Sequence, residues 1–178
     1  MRNRSSTTTT FVLTAIAVTL AAGGCRAEKS ATQPTSPMPL ASNSARSVEP
    51  EQDAISAYRG MWAAFVEAGK TADPDAPDLR KYATDEALKR IVSALFTNRE
   101  HKQVLRGDLV IDPKVTATSA SQVTILDCVN DEKWLVYNAS GGLYNNVPGG
   151  RHKTTATVKP ADGVWKVSTF ALEKAGTC

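Results

Sequence analysis

The spacing of the apolar residues changes once along this chain, near residue 107, and that change restricts the fold most. Before it, apolar residues recur every three or four positions; after it, they alternate in short runs bounded by Gly, Pro, Asn and Asp. Recurrence at helical spacing predicts helices, and short alternating runs predict strands. Because the helical part precedes the strand part as a block, we expect an α+β domain, with N-terminal helices on an antiparallel sheet, and not a βαβ fold.

Two long helices and a short one are predicted before the change. The first covers 50–69 and starts at Pro50, because proline suits the first helical position. A single helical turn is expected at 78–82. The second long helix opens at 84 and runs, less regularly towards its end, through Val104 and Leu105 to residue 107. These helices would cover one face of the sheet.

An antiparallel sheet of four to five strands is predicted in the rest of the chain. The candidate strands cover 108–117, 121–130, 132–139, 152–160 and 163–173. Pro113 interrupts the first of them, which predicts a sheet edge or a bulge, since proline cannot donate to a strand ladder. The last two form a hairpin around residues 160–163, where Pro-Ala-Asp-Gly is typical of a turn.

The first 24 residues are typical of a secretory signal. Arg2 and Arg4 give a positive start, the apolar run 11–22 follows, and two glycines end it. The run is a dozen residues long, whereas a helix that spans a bilayer needs about 20. A positive start, a short apolar middle and small residues at the end together indicate export.

Residues 20–25, Leu-Ala-Ala-Gly-Gly-Cys, resemble the bacterial lipobox, in which small residues precede a cysteine. The resemblance implies that the Cys25 thiol receives a diacylglyceryl group and that cleavage makes Cys25 the new N-terminus. Two or more acyl chains hold a protein stably at a membrane where one does not. We therefore expect a lipoprotein anchored at the extracytoplasmic face of the cell membrane. Plain secretion, with Cys25 free or removed, is the alternative.

Residues 25–50 predict a disordered linker between the lipid and a domain that covers 51–178. The linker holds four prolines among Ser, Thr, Ala and Gln and contains no aromatic residue. Such a composition cannot bury enough apolar surface to offset the conformational entropy of folding. At ~5–6 Å times the square root of its length, the linker would span about 25–30 Å.

The charge of the mature chain excludes one class of partner. Removing Arg2 and Arg4 with the signal leaves 19 basic residues against 18 acidic ones. A nearly neutral chain lacks the strongly basic face that nucleic-acid binding requires. We therefore expect no nucleic-acid partner.

Two of the three cysteines, Cys128 and Cys178, remain once Cys25 is assigned to the lipid. Export permits disulfides, and two cysteines allow a single pairing, so we predict a Cys128–Cys178 bridge. The chain-entropy model assigns such a bridge ~4 kcal/mol. Two unrelated buried thiols are the alternative. No metal site is predicted, because His101 and His152 are not spaced from the cysteines as zinc ligands are.

The order of the helices and strands resembles the nuclear transport factor two-like superfamily, in which a bent sheet wraps the helices into a cone. Gly163-x-Trp165-x-Val167 is similar to the closing strand of that superfamily. Residues 122–142 and 150–167 are similar to small exported lipoproteins of high-GC Gram-positive bacteria, most of which have no assigned activity. The resemblance implies a pocket at the wide end of the cone.

Some members of that superfamily are lyases or isomerases that move protons inside the cone. The resemblance makes Tyr58 and Asp127 the candidate catalytic pair, since proton abstraction beside a carbonyl needs a carboxylate base and an oxyanion donor. The alternatives are that Tyr58 packs under the sheet and that Asp127 bonds backbone near the bridge. His101 and His152 are expected to be solvated, and no cofactor is expected.

Two further groups of residues are candidates for binding. The Gly/Asn-rich segment 138–150 presents Leu143, Tyr144 and Val147 as a partner- or ligand-binding tip, with ordinary loop packing as the alternative. The three tryptophans are expected in the core or at its rim: Trp62, Trp134 and Trp165.

These observations favour a membrane-tethered, non-catalytic binding or assembly module of the bacterial envelope. Its ligand would be a small apolar molecule in the cone, or its partner an envelope protein. By analogy with the superfamily, the open sheet face could also form a homodimer. A lyase or isomerase and a purely structural protein, with the cone filled by its own side chains, remain the alternatives.

Overall fold

The computed structural model describes residues 44–178, with side chains from residue 49 onward. The elements are α1 (Ser44–Gly69), α2 (Pro77–Tyr82), α3 (Asp85–Glu100), β1 (Gln103–Val110), β2 (Lys114–Thr118), β3 (Val123–Asn138), β4 (Arg151–Ala161) and β5 (Val164–Leu172). Helices therefore precede strands, and the predicted α+β class is confirmed. The predicted signal, Cys25 and most of the linker lie outside the described residues.

The five strands form one antiparallel sheet. Four of them follow the order β1-β3-β4-β5, and β2 lies on the same side of β3 as β1, paired with the first part of β3. Helix α1 contacts all five strands, so the sheet curls around it. The core lies between this helix, α3 and the inner face of the sheet. Its largest fully buried side chains include Tyr58, Met61, Ile91, Ile125 and Val167.

Helix α1 begins at Ser44, six residues before Pro50, where we predicted its first residue. Pro50 is the seventh residue of α1, where proline removes one N–H from the helix and its ring crowds the carbonyl four residues before it. The helix continues through this position all the same, so Pro50 does not mark where it begins. The predicted end at Gly69 is confirmed.

Helix α3 ends at Glu100, and the prediction that it continues to residue 107 is wrong. Lys102 adopts a left-handed φ of 56°, which turns the chain out of the helix. Val104 and Leu105 then pair with Tyr137 and Val136 in the sheet, as part of β1. Adjacent apolar residues fit both a helix and a strand, so the pairing with β3 decided between them.

Strand β3 is one continuous strand of 16 residues, although we predicted two strands separated at residue 131. Its first half pairs with β2 and β4, and its second half pairs with β1. The register between β3 and β1 shifts at this point, between the pairs Asp108–Lys133 and Val110–Asn130. Asp131 and Glu132 therefore lie at an irregularity inside one strand and not in a turn.

The predicted strand break at Pro113 and the predicted C-terminal hairpin are both present. The chain breaks between β1 and β2 around Pro113, as predicted, and β2 lies on the sheet edge beside β1. A two-residue turn at Asp162 and Gly163, both with positive φ, joins β4 to β5. Two left-handed residues are what a tight hairpin of this kind requires.

The C-terminal segment is fixed to the centre of the sheet. After β5, the N–H of Gly176 donates to the carbonyl of Arg151 at 2.8 Å. Cys178 lies at disulfide-bonding distance from Cys128 on β3, with the two Cα atoms 5.9 Å apart and a sequence separation of 50. The predicted cysteine pair is therefore present, and it ties the end of the chain to the strand that most of the sheet pairs with.

Gly107 allows β1 to lie close to β3. It pairs with Trp134 and has a φ of 106°. A Cβ at this position would overlap the Lys133 carbonyl oxygen, which belongs to the backbone and cannot move aside. Only glycine therefore permits the β1–β3 pairing that positions Trp134.

We expect Gly107→Ala to lower the free energy of unfolding by at least about 3 kcal/mol, because the substitution adds a backbone clash to the strain of a positive φ. Gly141→Ala is the control, since Gly141 has a φ of 108° but an added Cβ there would meet no atom within 4 Å. It should cost about 1 kcal/mol. Urea unfolding of both variants tests this, and equal losses would contradict the role of the clash.

Candidate functional site

Four aromatic side chains meet between α1 and the curled sheet, and we call them the aromatic cluster. They are Trp62, Phe65, Trp134 and Phe170. The ring centroids of Phe65 and Trp134 are 5.0 Å apart, and those of Trp62 and Phe170 are 5.5 Å apart, both edge-on. These distances lie in the range that aromatic pairs favour. Phe65 is the third residue after Trp62, so one face of α1 presents both rings.

The aromatic cluster leaves a cavity of about 140 Å³, which we call the aromatic cavity. Its other lining residues come from α3 and the sheet: Arg90, Ile91, Ala94, Leu109, Val129, Asp131 and Leu172. An apolar cavity of ~150 Å³ holds benzene, whereas drug-sized ligands need ~300–1,000 Å³. The aromatic cavity is therefore large enough for one ring and too small for a fused polycyclic ligand.

Arg90 places a positive charge at this cavity, and its side chain is exposed to solvent. Its guanidinium carbon lies 5.6 Å from the centroid of the Phe170 ring. Among the described residues, no carboxylate lies within 4.0 Å of its nitrogens. Stacking on an aromatic face holds a guanidinium in place while leaving its N–H donors available.

Asp131, the other charged residue of the cavity lining, is held by several hydrogen bonds. Its Oδ1 accepts from the Gly150 N–H at 2.6 Å and lies 3.1 Å from His152 Nε2. His152 Nδ1 lies 2.7 Å from the carbonyl oxygen of Glu173. Both ring nitrogens of His152 therefore lie within hydrogen-bond distance of an oxygen, and the ring links Asp131 to the segment that follows β5.

The expectation that His152 is solvated is wrong. Its side chain is 12% exposed, and it joins Asp131 in the middle of β3 to the segment that follows β5. The flanking Arg151 and Lys153 suggested an exposed strand start. Alternation along β4 turns His152 inward while both neighbours face out, and the return of the chain after β5 covers it. His101, in contrast, is exposed at the end of α3.

The structure brings Tyr58 and Asp127 together, as the catalytic hypothesis requires, but in the interior. Tyr58 is fully buried, and its hydroxyl faces the Trp62 indole and the Asp127 carboxylate. The Tyr58 hydroxyl, Trp62 Nε1 and Asp127 Oδ2 are all buried without a hydrogen-bond partner. Burial, and secondly the nearby Asp127 charge, raise the pKa of Tyr58 far above its ordinary value.

The alternative for Asp127, a bond to the backbone, is present. Its Oδ1 accepts from the backbone N–H of Asp112 at 2.8 Å, which fixes the link between β1 and β2. Neither Tyr58 nor Asp127 belongs to the lining of the aromatic cavity. The pair could therefore act on a bound molecule there only after the core rearranged.

We expect Tyr58 to make stability fall at alkaline pH. Its folded pKa lies above the unfolded value of about 10, so the unfolded chain releases this proton first. Its contribution is complete below about pH 10 and is lost as pH rises towards the folded pKa, by up to ~1.4 kcal/mol per pH unit. Tyr58→Phe should remove this part of the alkaline loss in urea unfolding from pH 8 to 11.

The control for that measurement is Tyr144→Phe, since the Tyr144 side chain lies exposed on a loop. Its slope of stability against pH should match that of the wild type. If the Tyr58 and Tyr144 variants have the same slope of stability against pH, Tyr58 does not titrate as a buried group and the explanation is contradicted.

The predicted tip of segment 138–150 is exposed: Leu143 is 39%, Tyr144 53% and Val147 68% accessible. The Tyr144 N–H donates to the Val136 carbonyl, so part of the segment folds back along β3. None of the three side chains lines the aromatic cavity. A role for them in binding stays a prediction.

The tryptophans are in the core or at its rim. Trp62 is 3% exposed, and Trp134 packs against the core while lining the aromatic cavity. Trp165 is partly buried and lines a separate surface groove with Lys81 and Tyr82. Sequence reasoning missed the cavity wall itself, because Phe65, Arg90 and Phe170 carry no motif that sets them apart.

The outer face of the sheet is largely polar. Among its exposed residues are Lys153, Thr155, Lys159 and Thr169. Two exposed apolar side chains, Val110 and Leu126, line one groove on this surface. A homodimer through this face stays a prediction.

From residue 44 on, no helix has both the length and the apolar character needed to cross a membrane. In the same part of the chain, no three His, Cys, Asp or Glu side chains come together as metal ligands.

No family model and no curated protein matches this chain. Among solved structures, it is similar to a domain of unknown function with a cystatin-like fold from Nostoc punctiforme (TM-score 0.47, 12% identity, 70% of this chain and 78% of that one). It is also similar to an NTF2-like protein from Cytophaga hutchinsonii (0.45, 13%, 67% and 97%). A third is a protein of unknown function from Mycobacterium tuberculosis (0.46, 13%, 71% and 75%).

One of these structures carries the superfamily name that the sequence pattern resembles. With TM-scores below 0.5, however, these likenesses assign neither a family nor an activity to this chain. The case for function therefore rests on the residues of the site.

Proposed function

We propose that this chain is a lipid-anchored extracytoplasmic protein whose domain binds a small apolar molecule, of about one ring in size, without transforming it. The aromatic cavity is the observation that carries the proposal. It has four aromatic walls, a volume of about 140 Å³ and charged groups only at Arg90 and Asp131. Ligand sites are commonly of this kind, apolar with a few placed polar groups.

The size of the cavity sets the scale of affinity. An aromatic ring of side-chain size buries ~150–250 Å², which at ~25 cal/mol per Å² is worth about 4–6 kcal/mol before the costs of association. Without those costs, ~4–6 kcal/mol corresponds to dissociation constants of about 1 mM to about 40 μM, so with the costs included the expected affinity is millimolar or weaker. Apolar contact alone therefore suits reversible binding of an abundant molecule, and tight sequestration would need polar contacts as well.

Binding is favoured over catalysis by the positions of the proton-transfer groups. Tyr58, which is fully buried with a raised pKa, stays protonated at neutral pH and lies outside the cavity lining. Oδ1 of Asp131 is already engaged by Gly150 and His152. Neither the Tyr58 hydroxyl nor Oδ1 of Asp131 is thus placed to act as a general base on a molecule bound in the cavity.

A purely structural role is the second candidate. The rings of the aromatic cluster fill much of the cone, and Trp62 and Phe65 stack at 6.1 Å between centroids. Under this alternative the remaining space is a packing defect.

Filling the cavity should separate the two functions. Ala94→Leu adds three carbons to a residue of the cavity lining. With the full chain in lipid nanodiscs and toluene as the probe, we expect ligand-observed NMR to show saturable millimolar binding to the wild type. The substitution should abolish it, because the leucine occupies the ring's space.

Ser93→Leu is the matched control, since it adds a leucine to the exposed neighbouring position on α3. In identical nanodiscs it should bind toluene as the wild type does, while the signal that remains in Ala94→Leu measures partition of the probe into lipid. If neither the wild type nor the control binds more toluene than Ala94→Leu, the cavity is structural.

The lipid anchor has an independent test. Mass spectrometry of membrane-extracted chain should find Cys25 at the N-terminus with a diacylglyceryl group. Cys25→Ser should give a precursor that retains residues 1–24, because lipidation precedes cleavage in the lipobox pathway that residues 20–25 resemble. Unacylated chain of full length in the cytosol would contradict the anchor and leave the binding proposal untouched.

A further inference from the structure

The charge of the ligand can be inferred from the two ionic groups at the aromatic cavity; this inference rests on the proposed binding function. Arg90 is the first. It stacks on Phe170, which is itself part of the cavity wall. Its neighbour on the helix, Lys89, is paired with Glu86 at 2.8 Å, whereas Arg90 has no carboxylate within 4.0 Å among the described residues.

Asp131 is the second ionic group, and its Oδ1 is already engaged. It accepts the Gly150 N–H and faces His152 Nε2. The other ring nitrogen of His152 faces the Glu173 carbonyl at 2.7 Å, so the ring links Asp131 to the segment that follows β5. Of the two ionic groups, Arg90 is therefore the one with no ion-pair partner within 4.0 Å among the described residues.

We infer that the aromatic cavity binds a small apolar acid: one aromatic ring or a hydrocarbon group of similar size, bearing a single carboxylate. The ring would occupy the space between Trp62, Phe65 and Trp134, and the carboxylate would meet Arg90 at the cavity edge. A guanidinium binds a carboxylate through two parallel hydrogen bonds, which fixes orientation as well as charge.

An aromatic cage could also suit a cation, because cations are attracted to ring faces. The charges argue against it here. Arg90 would repel a cation directly, while the carboxylate that would attract it, Asp131, already faces His152. A small acid therefore fits the site better than an amine of the same size.

Three probes of one ring each test the inference: benzoate, toluene and benzylamine. Binding of each to the full chain in nanodiscs at pH 7.5 is measured by ligand-observed NMR. We expect benzoate to bind about tenfold more tightly than toluene, as a charge-assisted hydrogen bond allows, and benzylamine to bind least. In Arg90→Gln, the ratio of benzoate to toluene affinity should fall to about one.

Lys89→Gln is the matched control, since it removes one positive charge from the residue just before Arg90, which does not line the cavity. It should keep the tenfold ratio, which excludes a general effect of charge on α3. Toluene binding without a preference for benzoate, a preference for benzylamine, or an unchanged ratio in Arg90→Gln would each overturn the inference. Failure of all three probes to bind would overturn the proposed function itself.

Discussion

The contact between one face of α1 and the inner face of the curled sheet is the interaction on which the rest of this structure depends. It is made by aromatic rings from widely separated parts of the chain, at Trp62, Phe65, Trp134 and Phe170. Truncating a buried aromatic side chain costs about 3–5 kcal/mol, against a total stability of about 5–15 kcal/mol for a domain. Each ring thus contributes a substantial part of what holds helix and sheet together.

The same contact explains why the aromatic cavity and the buried polar pair are separate. Bulky rings cannot fill a curved surface completely, and the space they leave is apolar and bordered by Arg90 and Asp131. Tyr58 lies one helical turn before Trp62 on α1, so its hydroxyl points towards Asp127 behind the ring wall. Trp62 therefore divides a region suited to binding from the groups that suggested catalysis.

Sequence patterns predicted the features that depend on neighbouring residues and missed those that depend on distant partners. The β4–β5 hairpin and the break at Pro113 follow from turn chemistry and from a missing N–H, and both are present. The end of α3 and the continuity of β3 were predicted wrongly, because pairing of β1 with β3 decides both. A strand pair outweighs local preference wherever a short apolar run suits either element.

The sequence by itself determined the α+β class, the helical face of α1 and the pair Cys128–Cys178. Tertiary structure alone decided which polar groups meet. His152 lies 21 residues from Asp131 in sequence and is flanked by cations, so nothing local marks it as a buried partner. The period of a pattern fixes which way a side chain faces, but only the packing of distant segments fixes what it faces and how much space is left between them.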